Sequence, residues 1–320
     1  MSGEETHVTR NDDASRTVGF VGLGLMGGPM AANLLGAEWR VRGWNRSADA
    51  YKPFESAGGE RVGAVAELAD VETIIFMLPD LPMIEEAAAP LLAAWAARPP
   101  AGRTRVVVMS SVSPVDVKRF GAAVASASAG RAVVVDAPVS GGRAGAIAGS
   151  LAIMVGAEPD DFTALSPLFG AMGDTVVRLG GLGGGSLAKA CNQLIVGTTA
   201  AALAEAAVLA EAEGLDVGAL FGVLSGGLAG SRVMDQLAPR MIARDYTPTG
   251  PAKFMLKDLR FVEAAATEAG ARLPIAESAL EVYGDLVAEQ LGDLDLASVH
   301  ELARRRAGLA ASPLQEDSRP

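Results

Sequence analysis

The most constraining feature of the sequence is the glycine pattern Gly22-x-Gly24-x-x-Gly27, which lies between an apolar run and a helix-forming run. The apolar run at 18–21 is typical of a strand, and a second strand predicted at 40–44 follows within about 25 residues. Here Gly22 permits a tight turn, Gly24 lets the backbone approach a pyrophosphate, and Gly27 lets helix and strand pack closely. The pattern predicts a dinucleotide site at a helix N-terminus. A glycine-rich turn without a ligand is the alternative.

Runs rich in β-branched residues alternate with alanine-rich runs as far as residue 177. Strands are predicted at 18–21, 40–44, 73–78, 105–109, 133–136, 151–155 and 175–177, and helices between them at 27–35, 83–97, 115–127 and 160–169. This alternation predicts a parallel sheet covered on both faces. After the glycine cluster 180–185, only helices are predicted, at 186–213, 217–224, 231–243, 251–269, 274–291 and 296–307.

The predicted fold is therefore α/β, with a Rossmann-type doubly wound parallel sheet in residues 17–180 and an all-helical domain for substrate binding and oligomerisation in residues 181–310. Residues 1–16 are polar and lack the apolar centre of a secretory signal, so a disordered leader is predicted there. Residues 311–320 are predicted to form a flexible tail. The long small-residue helix at 186–213 needs burial on several sides, which predicts a homodimer or homotetramer.

Composition limits the partners and the compartment. A formal net charge of −11 argues against binding to nucleic acid. No run of about 20 apolar residues lacks charges or turn-forming residues, so no membrane span is expected. Cys191 is the only cysteine, which excludes an intramolecular disulfide and fits a reducing, cytoplasmic location. No cluster of cysteine and histidine has the spacing of metal ligands, so no metal is predicted.

The segment after the second strand bears on the choice of cofactor. It reads Asn45-Arg46-Ser47, where an NAD site usually has an acidic side chain for the ribose 2′-hydroxyl. An arginine at this place can pair with a 2′-phosphate. The segment favours NADP(H), with NAD(H) as the alternative. An ordinary solvated charge is the other interpretation of Arg46.

A second segment supplies candidate acid/base chemistry. Residues 183–193 read Gly-Gly-Gly-Ser-Leu-Ala-Lys-Ala-Cys-Asn-Gln, and Lys189 and Asn192 lie three residues apart on one face of a predicted helix. Oxidation of an alcohol requires removal of the hydroxyl proton while hydride leaves carbon. A lysine can take or return that proton if burial or a nearby cation lowers its pKa. Asn192 can hold the substrate against Lys189, whereas Cys191 is expected to be a small packed side chain.

Four motifs resemble the β-hydroxyacid dehydrogenase family, which includes 3-hydroxyisobutyrate dehydrogenase, tartronate semialdehyde reductase and glyoxylate/succinic semialdehyde reductases. They are residues 19–33, 136–142 (Asp-Ala-Pro-Val-Ser-Gly-Gly), 183–193 and 257–259 (Lys-Asp-Leu). The resemblance implies an NAD(P)-dependent oxidoreductase of a small 3-hydroxyacid or semialdehyde carboxylate. It makes Lys189 the catalytic lysine and Asn192 the substrate-orienting asparagine.

The resemblance also implies the remaining site residues. Ser140, Gly141 and Gly142 would hold the substrate carboxylate, and Lys257 would lie near the substrate and the nicotinamide. The full set of predicted cofactor-binding residues is Gly22, Gly24, Leu25, Met26, Gly27, Asn45, Arg46, Ser47, Leu78, Pro79, Ser111 and Lys257.

The sequence departs from the family pattern at three places. Gln193 stands where a second asparagine is common, Ser110-Ser111 replaces a Ser-Thr pair, and Arg143 follows the substrate loop. Two other functions stay open: an imine reductase on the same scaffold, and a catalytically silent NADP(H)-binding interaction protein. Lys189 argues against both, because imine reductases usually replace that lysine and a silent protein would tolerate its loss.

Overall fold

The computed structural model describes residues 16–309. The chain divides into two compact units, Met1–Lys189 and Ala190–Pro320. This division falls inside a helix, whereas the sequence analysis put the boundary before that helix, near residue 180. The predicted tail and the predicted leader, apart from Arg16, lie outside the described residues.

The first unit contains a six-stranded sheet in which every paired strand is parallel to its neighbour. Its strands are β1 (Thr17–Val21), β2 (Arg40–Trp44), β3 (Glu60–Arg61), β4 (Thr73–Phe76), β5 (Thr104–Val108) and β6 (Ala132–Asp136). Their order is β3-β2-β1-β4-β5-β6, which is the doubly wound dinucleotide-binding order. Val21 pairs with both Trp44 and Phe76, so β1, β2 and β4 end at one level. The predicted fold class is confirmed.

Helices lie between these strands and after the last of them. They are α1 (Gly27–Gly36), α2 (Tyr51–Ser56), α3 (Leu81–Ala97), α4 (Pro114–Ala127), α5 (Gly142–Ala148) and α6 (Pro159–Gly170). The central strands β1, β4 and β5 are apolar over most of their length, as expected for parallel strands covered on both faces. Phe20, Ile75 and Val107 are buried in the core that includes α1, and Ile74 and Val106 are buried in the core that includes α3 and α4.

The last two strands predicted for the first unit lie outside the main sheet. β8 (Ala152–Val155) and β9 (Thr175–Arg178) form a separate three-stranded sheet with β7 (Val139–Ser140). β7 is antiparallel to β8 and β9 is parallel to it. Periodicity identifies a strand but carries no information on its partners, so a single sheet was a wrong expectation.

The short elements of the first unit that were not predicted include two strands and two α-helices. The strands β3 and β7 each have two residues, too few to show a period. α2 contains a proline and α5 begins with a glycine, and both residues are poor helix formers.

The second unit is helical. It holds most of α7 (Gly184–Ala212), followed by α8 (Val217–Ser225), α9 (Arg232–Ala243), α10 (Lys253–Ala269), α11 (Pro274–Ala288) and α12 (Val299–Arg306). The prediction of one final helix from 296 is replaced by a 3-10 turn, Leu296–Ser298, that leads into α12. Met241, Leu259 and Tyr283 are fully or almost fully buried in the core of this unit, and the Tyr283 hydroxyl donates to Gly197 O on α7 at 3.0 Å.

Helix α7 is long and apolar enough to cross a membrane, judged by length and composition alone. Its most apolar window has a mean hydropathy of 1.6, and 39% of that window is buried. A core helix passes the same test, and Ala200, Leu203 and Ala204 of α7 lie in the core of the second unit. The expectation that no segment spans a membrane stays a prediction.

Candidate functional site

Two glycines of the fingerprint are required by close backbone packing after β1. Gly22 has φ of 102°, and its N–H donates to Trp44 O at 2.9 Å. A Cβ on Gly22 would lie 2.2 Å from Met77 O, and a Cβ on Gly27 would lie 1.9 Å from Gly22 O. Both contacts are far shorter than van der Waals distance, so a larger residue at either position would displace the turn.

Gly24 differs from these two glycines. Within residues 16–309, no atom outside the adjoining backbone lies within 4 Å of a Cβ built on Gly24. Protein packing therefore does not require a glycine here, whereas a ligand that approaches the backbone would. Gly24 lies in the turn just before Met26, the N-cap residue of α1, and the Met26 side chain makes no hydrogen bond to the first turn. Free N–H groups and open space at a helix N-terminus fit a pyrophosphate.

Asn45 connects the glycine turn to the end of β2. Its side-chain oxygen Oδ1 accepts from Leu23 N–H at 2.9 Å, and its Nδ2 donates to Ser47 O at 3.0 Å. Its backbone N–H donates to the Tyr51 hydroxyl at 2.7 Å, and that hydroxyl donates back to Asn45 O at 2.8 Å. Asn45 therefore links the glycine turn to the segment after β2 by hydrogen bonds, a role that was not predicted from the sequence.

A cavity of about 510 Å³ opens beside these loops in the first unit. Seven predicted cofactor residues line it: Gly22, Gly24, Asn45, Arg46, Ser47, Leu78 and Pro79. Its lining also includes residues that were not predicted: Trp44, Gly63, Ala64, Val65, Met77, Met83, Glu86, Ala87 and Pro90. The cavity lies at the carboxyl ends of β1, β2 and β4, the switch point where doubly wound sheets bind dinucleotides.

Four other predicted cofactor residues in the first unit lie outside this lining. Leu25 is 66% exposed, Met26 and Ser111 are half-buried, and Gly27 is buried.

Ser110 has a contact that was not predicted. Its Oγ, buried after β5, accepts from Leu78 N–H at 2.9 Å. Ser110 therefore fixes the loop that follows β4, and the only sequence signal was its place just after a strand.

Asp136, at the end of β6, holds the beginning of α7. Its Oδ1 accepts from Gly183 N–H at 2.7 Å and its Oδ2 accepts from Ser186 N–H at 2.5 Å. The carboxyl is fully buried, and burial raises its pKa above the usual range although the two backbone bonds oppose that shift. A carboxylate at this place satisfies N–H groups that a helix cannot satisfy internally.

Glycines allow this close approach of strand and helix. A Cβ on Gly156 would lie 2.2 Å from Asp136 Oδ1, and a Cβ on Gly185 would lie 2.7 Å from Asp136 O. The glycine cluster before α7 is thus explained in part by packing. The sequence analysis placed Asp136 only as the first residue of the substrate motif and missed its anchoring role.

The predicted substrate loop follows Asp136 directly. Ser140 lies in β7 and is half-buried, and Gly141 and Gly142 have φ of 134° and 59°. These positive values favour glycine and turn the chain from β7 into α5. Lys189 lies in the second turn of α7 and is half-buried. Through Asp136, the first unit therefore joins the end of the strand that leads to Ser140 with the beginning of the helix that carries Lys189.

The second unit contains the other predicted substrate residues. Asn192 Nδ2 donates to Gln193 Oε1 at 2.9 Å, and Gln193 Nε2 donates to Asp258 Oδ2 at 2.7 Å. Lys257 Nζ lies 2.9 Å from Asp258 Oδ1 and 4.7 Å from the centre of the Phe261 ring. Asn192 and Lys257, the second unit's predicted substrate contacts, thus belong to one connected set of polar side chains.

Cys191 is exposed, so the expectation of a packed side chain was wrong. It shares a face of α7 with Ile195 and Leu209, which are 64% and 66% exposed. Spacings of 4 and 18 residues place all three on one side of a helix with about 3.6 residues per turn.

Among residues 16–309, no group of three or more His, Cys, Asp or Glu side chains is placed to hold a metal ion.

Family models match almost the whole described chain. Residues 17–181 match the NAD binding domain of 6-phosphogluconate dehydrogenase. Residues 183–303 match the family described as NAD-binding of NADP-dependent 3-hydroxyisobutyrate dehydrogenase.

Individual proteins agree with these matches. 2-Hydroxy-3-oxopropionate reductase of Escherichia coli (strain K12) is 34% identical over 281 residues, which cover 87% of this chain and 94% of that protein. NAD-dependent L-serine dehydrogenase of Pseudomonas aeruginosa is 30% identical over 295 residues, with coverage of 90% and 97%. The structure of Mycobacterium tuberculosis 3-hydroxyisobutyrate dehydrogenase with L-serine has 31% identity and a TM-score of 0.79, with coverage of 90% and 99%.

The resemblance expected from the four motifs is confirmed by these matches. The chain belongs to the 3-hydroxyisobutyrate dehydrogenase family of NAD(P)-dependent hydroxyacid dehydrogenases.

Proposed function

We propose that the protein transfers a hydride between NADP(H) and a small 3-hydroxyacid or semialdehyde carboxylate, with Lys189 as the general acid/base. The observation that carries this proposal is the double hydrogen bond of Asp136 to Gly183 and Ser186. It ties the strand before the carboxylate-binding loop to the helix that bears the lysine. Fixing these two segments to one buried group gives the orientation that proton and hydride transfer require.

The residues divide the chemistry between them. When bound, NADP(H) accepts or supplies the hydride. Lys189 Nζ takes the hydroxyl proton during oxidation and returns a proton to the carbonyl oxygen during reduction. Ser140 and the backbone N–H groups of Gly141 and Gly142 hold the substrate carboxylate, since glycines permit close approach.

Two residues complete the substrate site in this proposal. Asn192 lies one helical turn beyond Lys189 and orients the hydroxyl or carbonyl oxygen by a hydrogen bond. Lys257, on α10, adds a positive charge that favours an anionic substrate. Arg143, exposed at the beginning of α5, is available to a second polar group on the acid.

The preference for NADP(H) rests on Arg46 and Asn45. Arg46 lines the cavity and is exposed, so its guanidinium is available to a 2′-phosphate. Asn45 is neutral where an acidic residue would favour a free ribose. NAD(H) stays as the alternative, because a relative of 30% identity is named NAD-dependent L-serine dehydrogenase.

Relatives support the substrate class. One relative is named as a reductase of 2-hydroxy-3-oxopropionate, and the similar structure from Mycobacterium tuberculosis is of the protein with L-serine. Both compounds are small carboxylates with three carbons. We further propose that the chain acts in the cytoplasm as a homodimer or homotetramer, without nucleic-acid, membrane or metal partners.

A panel assay tests this function. The purified protein is mixed with NADPH or NADH and small semialdehyde acids, and with NADP⁺ or NAD⁺ and the matching hydroxyacids, with cyclic imines as a third group. We expect turnover of at least one acid with NADPH as the better cofactor. Turnover of imines alone would indicate an imine reductase, and tight NADPH binding without any turnover would indicate a silent binding protein.

A further inference from the structure

Helices α1 and α5 are joined by a hydrogen bond between two residues that lie far apart in the sequence. Asn33 Nδ2 donates to Ala146 O at 2.7 Å, across 113 positions of the chain. Helix α1 follows the glycine turn assigned to the pyrophosphate, and α5 follows the loop assigned to the substrate carboxylate. The bond therefore connects the helices that start at the two proposed binding segments, and the proposed function gives Asn33 no role.

The acceptor is a carbonyl that has lost its usual helical donor. In a continuing α-helix, the N–H of Ser150 would donate to Ala146 O, four residues earlier. Here it donates to Gly145 O at 3.0 Å instead, because α5 ends at Gly149, which has a left-handed φ of 67°. Ala146 is fully buried, and a buried carbonyl requires a donor. The side chain of Asn33 supplies that donor.

The amide of Asn33 lies where α1 and α5 pack together. Met30 and Leu34, which flank it on α1, are fully buried in the same apolar core as Ala146. A Cβ on Gly149 would lie 3.4 Å from Asn33 Nδ2, so the amide lies against the turn that ends α5. Its nitrogen must face Ala146 O, because only the amino end of an amide side chain donates.

The hydrogen bond is close to the beginning of both helices. Asn33 lies six residues after Gly27, which is about 9 Å along α1 at 1.5 Å per residue. Ala146 lies four residues after Gly142, which is about 6 Å along α5. A shift of α5 relative to α1 would therefore move Gly142 relative to the glycine turn. Such a shift matters because hydride transfer depends on how closely substrate and cofactor are aligned.

We propose that Asn33 is a positioning residue that holds the substrate loop, residues 140–142, at a fixed place relative to the glycine turn. This inference rests on the proposed function. It assigns Asn33 no contact with substrate or cofactor, so its effect on turnover passes through the end of α5. The hydrogen bond to Ala146, and not the volume of the side chain, should then determine how well the acid substrate binds.

Two substitutions separate the hydrogen bond from the packing. Asn33→Asp keeps the shape of the side chain but places a carboxylate oxygen against Ala146 O, whereas Asn33→Leu keeps a similar volume without a donor. We expect KM for the acid substrate to rise about three- to tenfold in Asn33→Leu and at least about tenfold in Asn33→Asp. The change in kcat should be smaller. The Kd for NADPH should stay within about twofold, because the N-terminus of α1 is unchanged.

A matched control and a further variant complete the test. Gln236→Glu makes the same change from amide to carboxylate at an exposed residue of α9, and it should leave KM and the Kd for NADPH unchanged. If Asn33→Asp lowers the folded yield, Asn33→Gln takes its place. Because glutamine keeps an amide donor, Asn33→Gln should then raise KM less than Asn33→Leu does.

The outcomes separate this inference from the proposed function. An active wild type in which Asn33→Asp leaves KM unchanged would overturn the inference alone, since only the shape of the side chain would then matter. So would a Kd for NADPH that rises by the same factor as KM, because Asn33 would then support the cofactor site and not the substrate loop. A wild type that turns over no acid of the panel would overturn the proposed function, and the inference with it.

Discussion

The backbone N–H of Leu23 donates a 2.9 Å hydrogen bond to the side-chain oxygen of Asn45. This contact joins the glycine turn after β1 to the segment after β2, and both segments line the same cavity. One side chain therefore sets the spacing between the place of the pyrophosphate and the place of the ribose. Asn45 also occupies the position where a carboxylate would select NAD(H).

Asn45→Asp should change the cofactor preference. A carboxylate can still accept from Leu23 N–H and so keeps the contact to the glycine turn, whereas the bond from Asn45 Nδ2 to Ser47 O is lost. The added negative charge repels a 2′-phosphate. We expect the Kd for NADPH to rise at least about tenfold, while the Kd for NADH falls or stays constant. Fluorescence titration of both cofactors measures the ratio. Asn45→Ala, which removes the turn contact without adding charge, should weaken both cofactors alike. An unchanged NADPH/NADH ratio in Asn45→Asp would show that this position does not meet the ribose.

Arg46→Ala should weaken NADPH binding selectively. Loss of one charge-assisted contact typically costs about 1.5–3 kcal/mol, or roughly 10- to 150-fold in Kd. NADH, which lacks the phosphate, should lose little. Arg98→Ala, at an exposed arginine after α3, is the matched control. Equal weakening of NADPH and NADH by Arg46→Ala would exclude the proposed phosphate contact.

The buried carboxylate of Asp161 should make stability depend on acid pH. Arg103 donates to it twice, at 2.8 and 2.6 Å, and Arg105 donates at 2.9 Å. The hydrogen bonds from Arg103 are the main cause that holds the pKa of Asp161 below its usual range. A lowered folded-state pKa stabilises the fold above the unfolded value of about 3.9, and this stabilisation is lost as pH falls through the folded value.

Asp161→Asn should therefore lower the free energy of unfolding by about 2–3 kcal/mol at pH 7. Urea unfolding of both proteins should show this difference shrinking as the pH falls from about 5 to below about 3. Asp160→Asn, at the exposed neighbour, should cost less than about 1 kcal/mol. A difference between wild type and Asp161→Asn that does not vary with pH would mean that the ion pairs do not stabilise the fold.

Helix α7 should take part in self-association. Ile195 and Leu209 are 64% and 66% exposed on one face of this helix, and small residues beside them permit close helix packing. We expect light scattering to give at least twice the chain mass of 32.6 kDa. A mass near 32.6 kDa at micromolar concentration would contradict a stable homo-oligomer.

Much of the fold could be predicted because local patterns determine it. The β-branched runs at β1, β4 and β5 and the glycine turn after β1 are features of short segments. The separation of β8 and β9 into a second sheet could not be predicted, since it depends on which strands pair. The two-residue strands β3 and β7 are too short to carry a periodic signal.

The site shows the same division between local and long-range features. Glycines of the turn, Arg46 and Lys189 stand in recognisable motifs. The anchoring of α7 by Asp136 joins residues about 50 positions apart in sequence, and the bond of Gln193 to Asp258 joins two helices. Hydrogen bonds of this kind depend on tertiary packing. A single sequence does not show which distant residues come into contact.

Lys189→Ala should remove most turnover and leave cofactor binding intact. General acid–base catalysis is worth about 10²–10⁴ in rate, so kcat should fall by at least that range. The Kd for NADPH should stay within about twofold, because the cavity is built from β1, β2 and β4. Lys52→Ala, at an exposed lysine of α2, is the control and should keep full activity.

The pH profile of kcat/KM for wild type and Lys189→Ala tests the proton-transfer role most directly. Both proteins are assayed with the best acid substrate of the panel at saturating NADPH. The proposed mechanism predicts a titration in the wild-type profile that is absent from the variant, together with a loss in rate of about 10²-fold or more. A variant that keeps more than roughly a tenth of wild-type turnover, or that keeps the same titration, would contradict the assignment of Lys189 as the general acid/base.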